Sequence, residues 1–319
     1  DVWRYPVTTQ LKSPPLPRAL VALTKAFAED GISALDPDVP IEVWRAALAG
    51  PAAEFLSRPG KALREMIVTA GWTLGGGVGA CPSELPLALE LLHAGSLVID
   101  DVEDGSTERR GRPALHCLVG TPLAINTGSW MYFWALAELA AVDAELVAVA
   151  ARALVRCHQG QALDLAVRIT DIESQYVPKI VETCTRLKTG QLCRLAAELG
   201  ARAADADPET LAAIGNFAER MGIGLQMLDD LGCLVGDRCA KGGEDLRNAR
   251  PTWPWAWLAE LGLVIAPDPE LMYAAVAAHG RARIRATLDA ALAHLAPLAP
   301  HPMIDRIARE LSNMENSYG

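Results

Sequence analysis

Apolar residues recur along this chain three and four positions apart, and Val and Ile rarely alternate with polar residues, so the pattern is helical with little strand signal. The pattern breaks where Pro, Gly or Asp gather: Asp36-Pro37, Gly75-Gly76-Gly77, Gly111-Arg112-Pro113, Asp207-Pro208 and Pro267-Asp268-Pro269. Between the breaks the spacing predicts helices over 17–30, 41–57, 61–76, 84–104, 120–140, 143–169, 174–200, 208–236, 251–263, 268–295 and 301–315. Residues 1–16 read as a Pro-rich N-terminal arm. Neither a Gly/Ser linker nor a short-period repeat divides the remainder, so 17–319 reads as one all-α domain. Its central helices are apolar on most faces, as expected when helices line a core or cavity.

Composition narrows the function classes. With 51% hydrophobic and 21% charged residues, the 319-residue chain has ample material for a core. A formal net charge of -10 argues against a general nucleic-acid partner, so any phosphate binding needs local cations. The seven cysteines (81, 117, 157, 184, 193, 233, 239) form no CxxC pair and read as reduced, partly buried thiols. No run of ~18 uncharged apolar residues appears, so no membrane span is expected. The opening DVWRYPVTTQLKSPPLPR lacks a basic region followed by an apolar stretch, so no signal peptide is expected and the predicted location is cytoplasmic.

The chemistry concentrates in two acidic clusters, each followed by cations. The first is Asp100-Asp101-Val102-Glu103-Asp104, then Arg109-Arg110-Gly111-Arg112-Pro113. The second is Gln226-Met227-Leu228-Asp229-Asp230, then Lys241 and Arg250, at a separation of 229 − 100 = 129 residues. Carboxylates repel one another and are costly to desolvate, so such clusters need cations. Paired oxygen ligands beside Arg and Lys point to Mg²⁺ holding a phosphate-bearing ligand. On a helix, i and i+4 share a face and i+1 lies about 100° away, so Asp100, Asp101 and Asp104 are expected in one sector. The alternative is an acidic helix end on the surface, which the helix dipole disfavours at a C-terminus. Lys61 and Arg64 are spaced to share a helix face, and His93 stands two turns before Asp100.

The stretch HAGSLVIDDVEDGSTERRGRPALH resembles the first aspartate-rich motif of the trans-isoprenyl diphosphate synthases, DDxxD followed by RRGxPxxH. Gly60-Lys61-Ala62-Leu63-Arg64, Gly160-Gln161-Ala162-Leu163-Asp164, Lys188-Thr189-Gly190 and Gln226-Met227-Leu228-Asp229-Asp230 are similar to further motifs of that family, in the family's order. INTGSWMYFWAL and CHQGQALDL resemble its geranylgeranyl diphosphate synthase branch. The resemblance implies a helical isoprenoid-synthase bundle around a central apolar cavity. It implies an Mg²⁺-dependent, chain-elongating prenyltransferase of isoprenoid biosynthesis, condensing isopentenyl diphosphate with dimethylallyl, geranyl or farnesyl diphosphate. Geranylgeranyl diphosphate is the expected product, a homodimer the expected assembly, and three Mg²⁺ ions the expected complement of each active site.

Carried over residue by residue, the resemblance makes Asp100, Asp104, Asp229 and Asp230 the metal residues, with Asp101 supporting the first motif. Arg109, Lys188, Thr189, Gln226, Lys241 and Arg250 fall on the allylic diphosphate, and Thr189 and Gln226 also face the carbocation. Lys61, Arg64, His93 and Arg110 fall on isopentenyl diphosphate. Gln161 and Asp164 support either Lys188 or the metal shell. Gly95 and Ser96 are small where aromatic residues would shorten the product, and Tyr132, Phe133 and His158 are expected to floor the pocket. The chain departs from the family where Cys233 replaces the third acid of the second motif and Arg250 replaces a Lys. A class I terpene cyclase on the same fold, or a non-catalytic partner subunit of another synthase, are the competing readings; the isopentenyl diphosphate set argues against the cyclase.

Overall fold

The computed structural model describes residues 17–27, 38–58, 63–235 and 246–317. Lys61 and Lys241, and the arm 1–16, lie outside the described residues. Helices are α1 (Arg18–Ala26), α2 (Ile41–Trp44), α3 (Gly50–Leu56), α4 (Leu63–Leu74), α5 (Glu84–Glu103), α6 (Leu115–Val119), α7 (Thr121–Val142), α8 (Ala144–Ala166), α9 (Val177–Thr185), α10 (Gln191–Ala203), α11 (Pro208–Gly232), α12 (Trp253–Leu261), α13 (Pro269–Ala293) and α14 (Pro302–Ser317). Strands among the described residues are limited to a short antiparallel hairpin, β1 (Glu108–Arg109) and β2 (Arg112–Pro113). The all-α class expected from the periodicity is what forms.

Two of the predicted breaks, Asp207-Pro208 and Pro267-Asp268-Pro269, act as caps, and Asp143 starts α8 in the same way. Asp143, Asp207 and Asp268 each accept a hydrogen bond from a backbone N–H in the first turn of α8, α11 and α13, and α11 and α13 begin with the proline that follows the cap. An aspartate oxygen there satisfies an otherwise orphaned donor, and proline costs nothing at that position. The predicted helix 174–200 is instead a 3₁₀ turn, α9, a π turn at Arg186–Gly190 and then α10, which runs on to Ala203.

The chain forms two compact units, one from Asp1–Gly60 and Ala94–Ser129, the other from Lys61–His93 and Trp130–Gly319. Helices α5 and α7 contribute residues to both. In the smaller unit, Ile99 and the Gly95 carbonyl press against Gly128, where a methyl carbon would meet them at 3.0 and 3.1 Å. Gly95 thus lies at the close approach of α5 to α7.

In the larger unit α10 packs against α4, α8 and α11. The α4–α10 contact is backbone to backbone: a methyl carbon at Gly71 would lie 2.1 Å from the Ala197 carbonyl oxygen, and one at Gly200 would lie 2.1 Å from that of Val68. The colliding atoms belong to rigid helices, so relief requires the helices to part. Gly200→Ala is therefore expected to lower stability by about 3 kcal/mol or more, the upper end of overpacking costs, outweighing alanine's better helix propensity. A denaturant midpoint equal to or above that of the unchanged chain would contradict this packing.

Candidate active site

In the smaller unit, α5 delivers the first acidic cluster at its C-terminal end. The three carboxylates, expected in one sector, differ in burial, and two of them meet one guanidinium. Asp100 is half-buried, Asp104 is exposed just beyond the helix, and Asp101 is fully buried. The 100° step between neighbouring residues turns Asp101 inward and leaves Asp100 and Asp104, one turn apart, facing outward. Burial comes first among the causes that raise the Asp101 pKa, with Asp100 adding to it, while Arg109 and His116 pull the other way.

Arg109 opposes that burial directly. Its Nε donates to Asp101 Oδ1 at 2.7 Å and its Nη2 to Asp100 Oδ2 at 3.1 Å. Burial works against the Arg109 charge, yet its bonds to the two aspartates more than compensate and raise its pKa. The cation also offsets the unfavourable placing of acids at a helix C-terminus. The hairpin that carries Arg109 turns through Arg110 (φ 56°) and Gly111 (φ 74°), both left-handed, as a two-residue type I′ turn requires. The turn sends Arg110 elsewhere: its guanidinium lies 5.9 Å from the Phe55 ring centroid.

The donor set at the end of α5 fits Mg²⁺, which takes carboxylate oxygens and keeps water and phosphate oxygens in its remaining positions. Asp101 Oδ2 is buried without a hydrogen-bond partner, so this residue has no spare capacity turned toward solvent. Among the described residues no group of three or more His, Cys, Asp or Glu side chains forms a ready-made cage.

The larger unit holds the second cluster in a chain of hydrogen bonds. Thr189 Oγ1 donates to Gln226 Oε1 at 2.9 Å, and Gln226 Nε2 donates to Asp230 Oδ1 at 2.7 Å. The Trp253 N–H donates to Asp230 Oδ2 at 2.9 Å. Thr252, the N-cap residue of α12, makes no side-chain cap bond, so Asp230 caps that helix from α11. Asp229, beside it, is half-buried. Lys188 Nζ meets Asp164 Oδ2 at 2.8 Å, and Arg250 Nη1 donates to the Asp164 carbonyl oxygen at 2.7 Å. The motif residue Asp164 therefore serves Lys188. Cys233 is the half-buried C-cap residue of α11.

Lys188 and Thr189 stand on the π turn, a widening of the helix often found where function needs a side chain re-aimed. Two glycines let neighbouring helices approach it. A methyl carbon at Gly160 of α8 would lie 2.8 Å from the Lys188 nitrogen, and one at Gly190 would lie 3.1 Å from the Glu219 carbonyl oxygen on α11. Burial raises the pKa of Cys157 to about 11 and that of Cys184 and Cys193 to about 12, so these thiols stay neutral and unreactive near pH 7.

Arg64 sits in the first turn of α4 and His93 in the middle of α5, both half-buried. Tyr132 and His158 meet edge to face, with ring centroids 6.3 Å apart. Phe133, expected beside them in the pocket floor, is 71% exposed. Adjacent residues of a helix point about 100° apart, so α7 does not turn both aromatics inward. Spacing alone did not single out Arg58 and Glu54, which brace the hairpin: Arg58 donates to the Arg109 and Pro113 carbonyl oxygens. Glu54 and Arg58 are four residues apart in the chain, a spacing shared with many surface pairs.

The fold and the acidic clusters agree with the comparison to known proteins: the chain belongs to the polyprenyl synthetase family, whose model matches residues 45–261. It is 33% identical over 175 residues to a short chain isoprenyl diphosphate synthase of Methanocaldococcus jannaschii, an alignment covering 52% of each chain. It is 32% identical over 243 residues to a geranylgeranyl pyrophosphate synthase of Apiospora sacchari, covering 72% of this chain and 68% of that one. The chain thus spans about half of the first relative and two thirds of the second. The crystal structure of heptaprenyl diphosphate synthase from Staphylococcus aureus superposes with a TM-score of 0.77 at 21% identity, covering 94% of this chain and 96% of that one, which shows a shared fold.

Proposed function

We propose that the chain is a chain-elongating trans-prenyltransferase that joins isopentenyl diphosphate to an allylic diphosphate, with geranylgeranyl diphosphate as its product. The observation that carries this reading is the division of labour on α5. Buried Asp101 takes the Arg109 Nε, half-buried Asp100 takes the Nη2 of the same guanidinium, and Asp104 one turn on is exposed. Leaving-group chemistry of a diphosphate calls for such positive charge fixed in advance.

Asp100 and Asp104 would hold Mg²⁺ at the first cluster, and Asp229 with Asp230 beside it would do so at the second. When bound, the ion supplies charge that stabilises the departing diphosphate. Arg109, Lys188 and Arg250 bind diphosphate oxygens, and Asp164 aims Lys188. Thr189 and Gln226, locked together and to Asp230, present dipoles that steady a cation without being alkylated by it. Arg64, His93 and Arg110 bind the second diphosphate, with Lys61 and Lys241 assigned by motif alone.

Tyr132 and His158 set product length, and Gly95 and Ser96 are small where aromatic residues would shorten the product. Removing the Tyr132 ring opens the end of the pocket, so Tyr132→Ala is expected to shift the product distribution by at least one isoprene unit. Chromatography of the dephosphorylated products checks it, and an unchanged distribution would reject the floor. Phe133 on α7 and Val155 on α8 are 71% and 59% exposed, which supports a homodimer in which a second copy covers them. No helix among the described residues is long and apolar enough to cross a membrane. The free thiols of Cys117, Cys157, Cys184 and Cys193 support a cytoplasmic location.

Mass analysis of products from isopentenyl diphosphate with each allylic primer in turn tests the reading. Elongated prenyl diphosphates are expected. A cyclic hydrocarbon from an allylic diphosphate alone would instead indicate a cyclase, and no turnover by the purified chain a partner subunit.

A further inference from the structure

Arg58 follows α3 and is 1% exposed, a buried cation with no place in the roles assigned above. Its Nη1 donates to the Arg109 carbonyl oxygen at 3.0 Å, and its Nη2 donates to the Pro113 carbonyl oxygen at 2.7 Å and to Glu54 Oε2 at 2.7 Å. Arg109 belongs to β1 and Pro113 to β2, so one planar guanidinium grips both strands of the hairpin. Glu54 also pairs with Arg112, at 2.8 Å. Phe55, fully buried, lies beneath both Arg58 and Arg110, 5.2 and 5.9 Å from its ring centroid. Arg110 Nη1 donates back to the Arg58 carbonyl oxygen at 3.4 Å. Each arginine of the hairpin is therefore tied to the segment 54–58, directly or through its own backbone.

The turn between the strands needs that restraint. Arg110 holds φ at 56°, a left-handed conformation that costs a residue with a Cβ about 1–2 kcal/mol. Such a backbone persists where its surroundings over-determine it. The turn is also what separates the two side chains, sending Arg109 to Asp100 and Asp101 and Arg110 to Phe55.

We propose that Arg58 is a positioning residue: its fork on the two hairpin carbonyls holds the left-handed turn that aims Arg109 and Arg110 at separate diphosphates. This rests on the reading of those two arginines as diphosphate-binding. Arg58 touches no substrate; it acts through the backbone it clamps. A purely structural staple would change the amount of folded protein but not the affinity of what folds.

Arg58→Lys separates the two, because an ammonium keeps the charge but cannot reproduce the planar fork. In the folded fraction, measured by thermal unfolding, KM for both diphosphate substrates is expected to rise about tenfold, and more than kcat falls, as misplaced binding groups weaken binding. Inorganic pyrophosphate affinity with Mg²⁺, measured by calorimetry, is expected to fall by a similar factor. Glu54→Gln, which leaves the fork but neutralises its anchor, is expected to move the same quantities in the same direction and serves as the test if Arg58→Lys does not fold. KM values and pyrophosphate affinity within about twofold of the unchanged chain in the folded variant would overturn the proposal. Turnover of the unchanged chain, measured alongside, decides the prenyltransferase reading separately, since the Arg58 result is a ratio to it.

Discussion

Asp100→Ala is expected to lower kcat/KM for the allylic diphosphate about a thousandfold or more while leaving the chain folded. Preorganised charge around a leaving group is worth several kcal/mol of barrier, and Asp100 stands where such charge would be gathered. Its structural role is small by comparison. The side chain is 23% exposed, it sits at a helix C-terminus where the dipole disfavours an acid, and Arg109 keeps its bond to Asp101 when Asp100 is gone. Steady-state kinetics and a thermal melt on the same preparation check both halves. Activity within tenfold of the unchanged chain would remove Asp100 from the chemistry; a collapsed melt would make it a structural residue.

Asp101→Asn is expected to have the next largest effect, by a different route. The amide keeps the size and one acceptor but loses the charge that holds the Arg109 guanidinium, so kcat/KM for the allylic diphosphate is expected to fall about a hundredfold, as when a binding group is displaced by about 1 Å. Stability is expected to change little. Burial already disfavours the charged Asp101, and Arg109 keeps Asp100 as a partner, so no cation is left uncompensated. Asp101 thus differs from Asp100 in mechanism: one orients a cation from inside the protein, the other faces outward. If Asp101→Asn kept full affinity for the allylic substrate, Arg109 would need no carboxylate to aim it.

Much of this was legible in the chain. Helix boundaries fell within a few residues where an aspartate before a proline marked them, because that pair has a local physical job, as at Asp207 and Asp268. The basic and acidic motifs were legible because their residue types and order are unusual together. What stayed hidden depends on contacts distant in sequence. The π turn at Arg186–Gly190 has no local signal; it follows from helices α8 and α11 closing on Gly160 and Gly190. Asp230 read as a metal residue, and its capping of α12 appears only once Trp253, 23 residues on, is brought beside it. Arg58 carries no local signal, because its partner is the hairpin 51 residues further along. Tyr132 and Phe133 share the same apolar character, and only the packing of α7 shows which of them turns outward.

In a chain-elongating transferase, diphosphate departs from an allylic chain only as isopentenyl diphosphate is joined to it. Pyrophosphate release by the purified chain with Mg²⁺ tests this most directly, measured against isopentenyl diphosphate consumed. One pyrophosphate per isopentenyl unit incorporated is expected, and none when Mg²⁺ is chelated. Sustained release from the allylic diphosphate alone, or none with both substrates present, would contradict it.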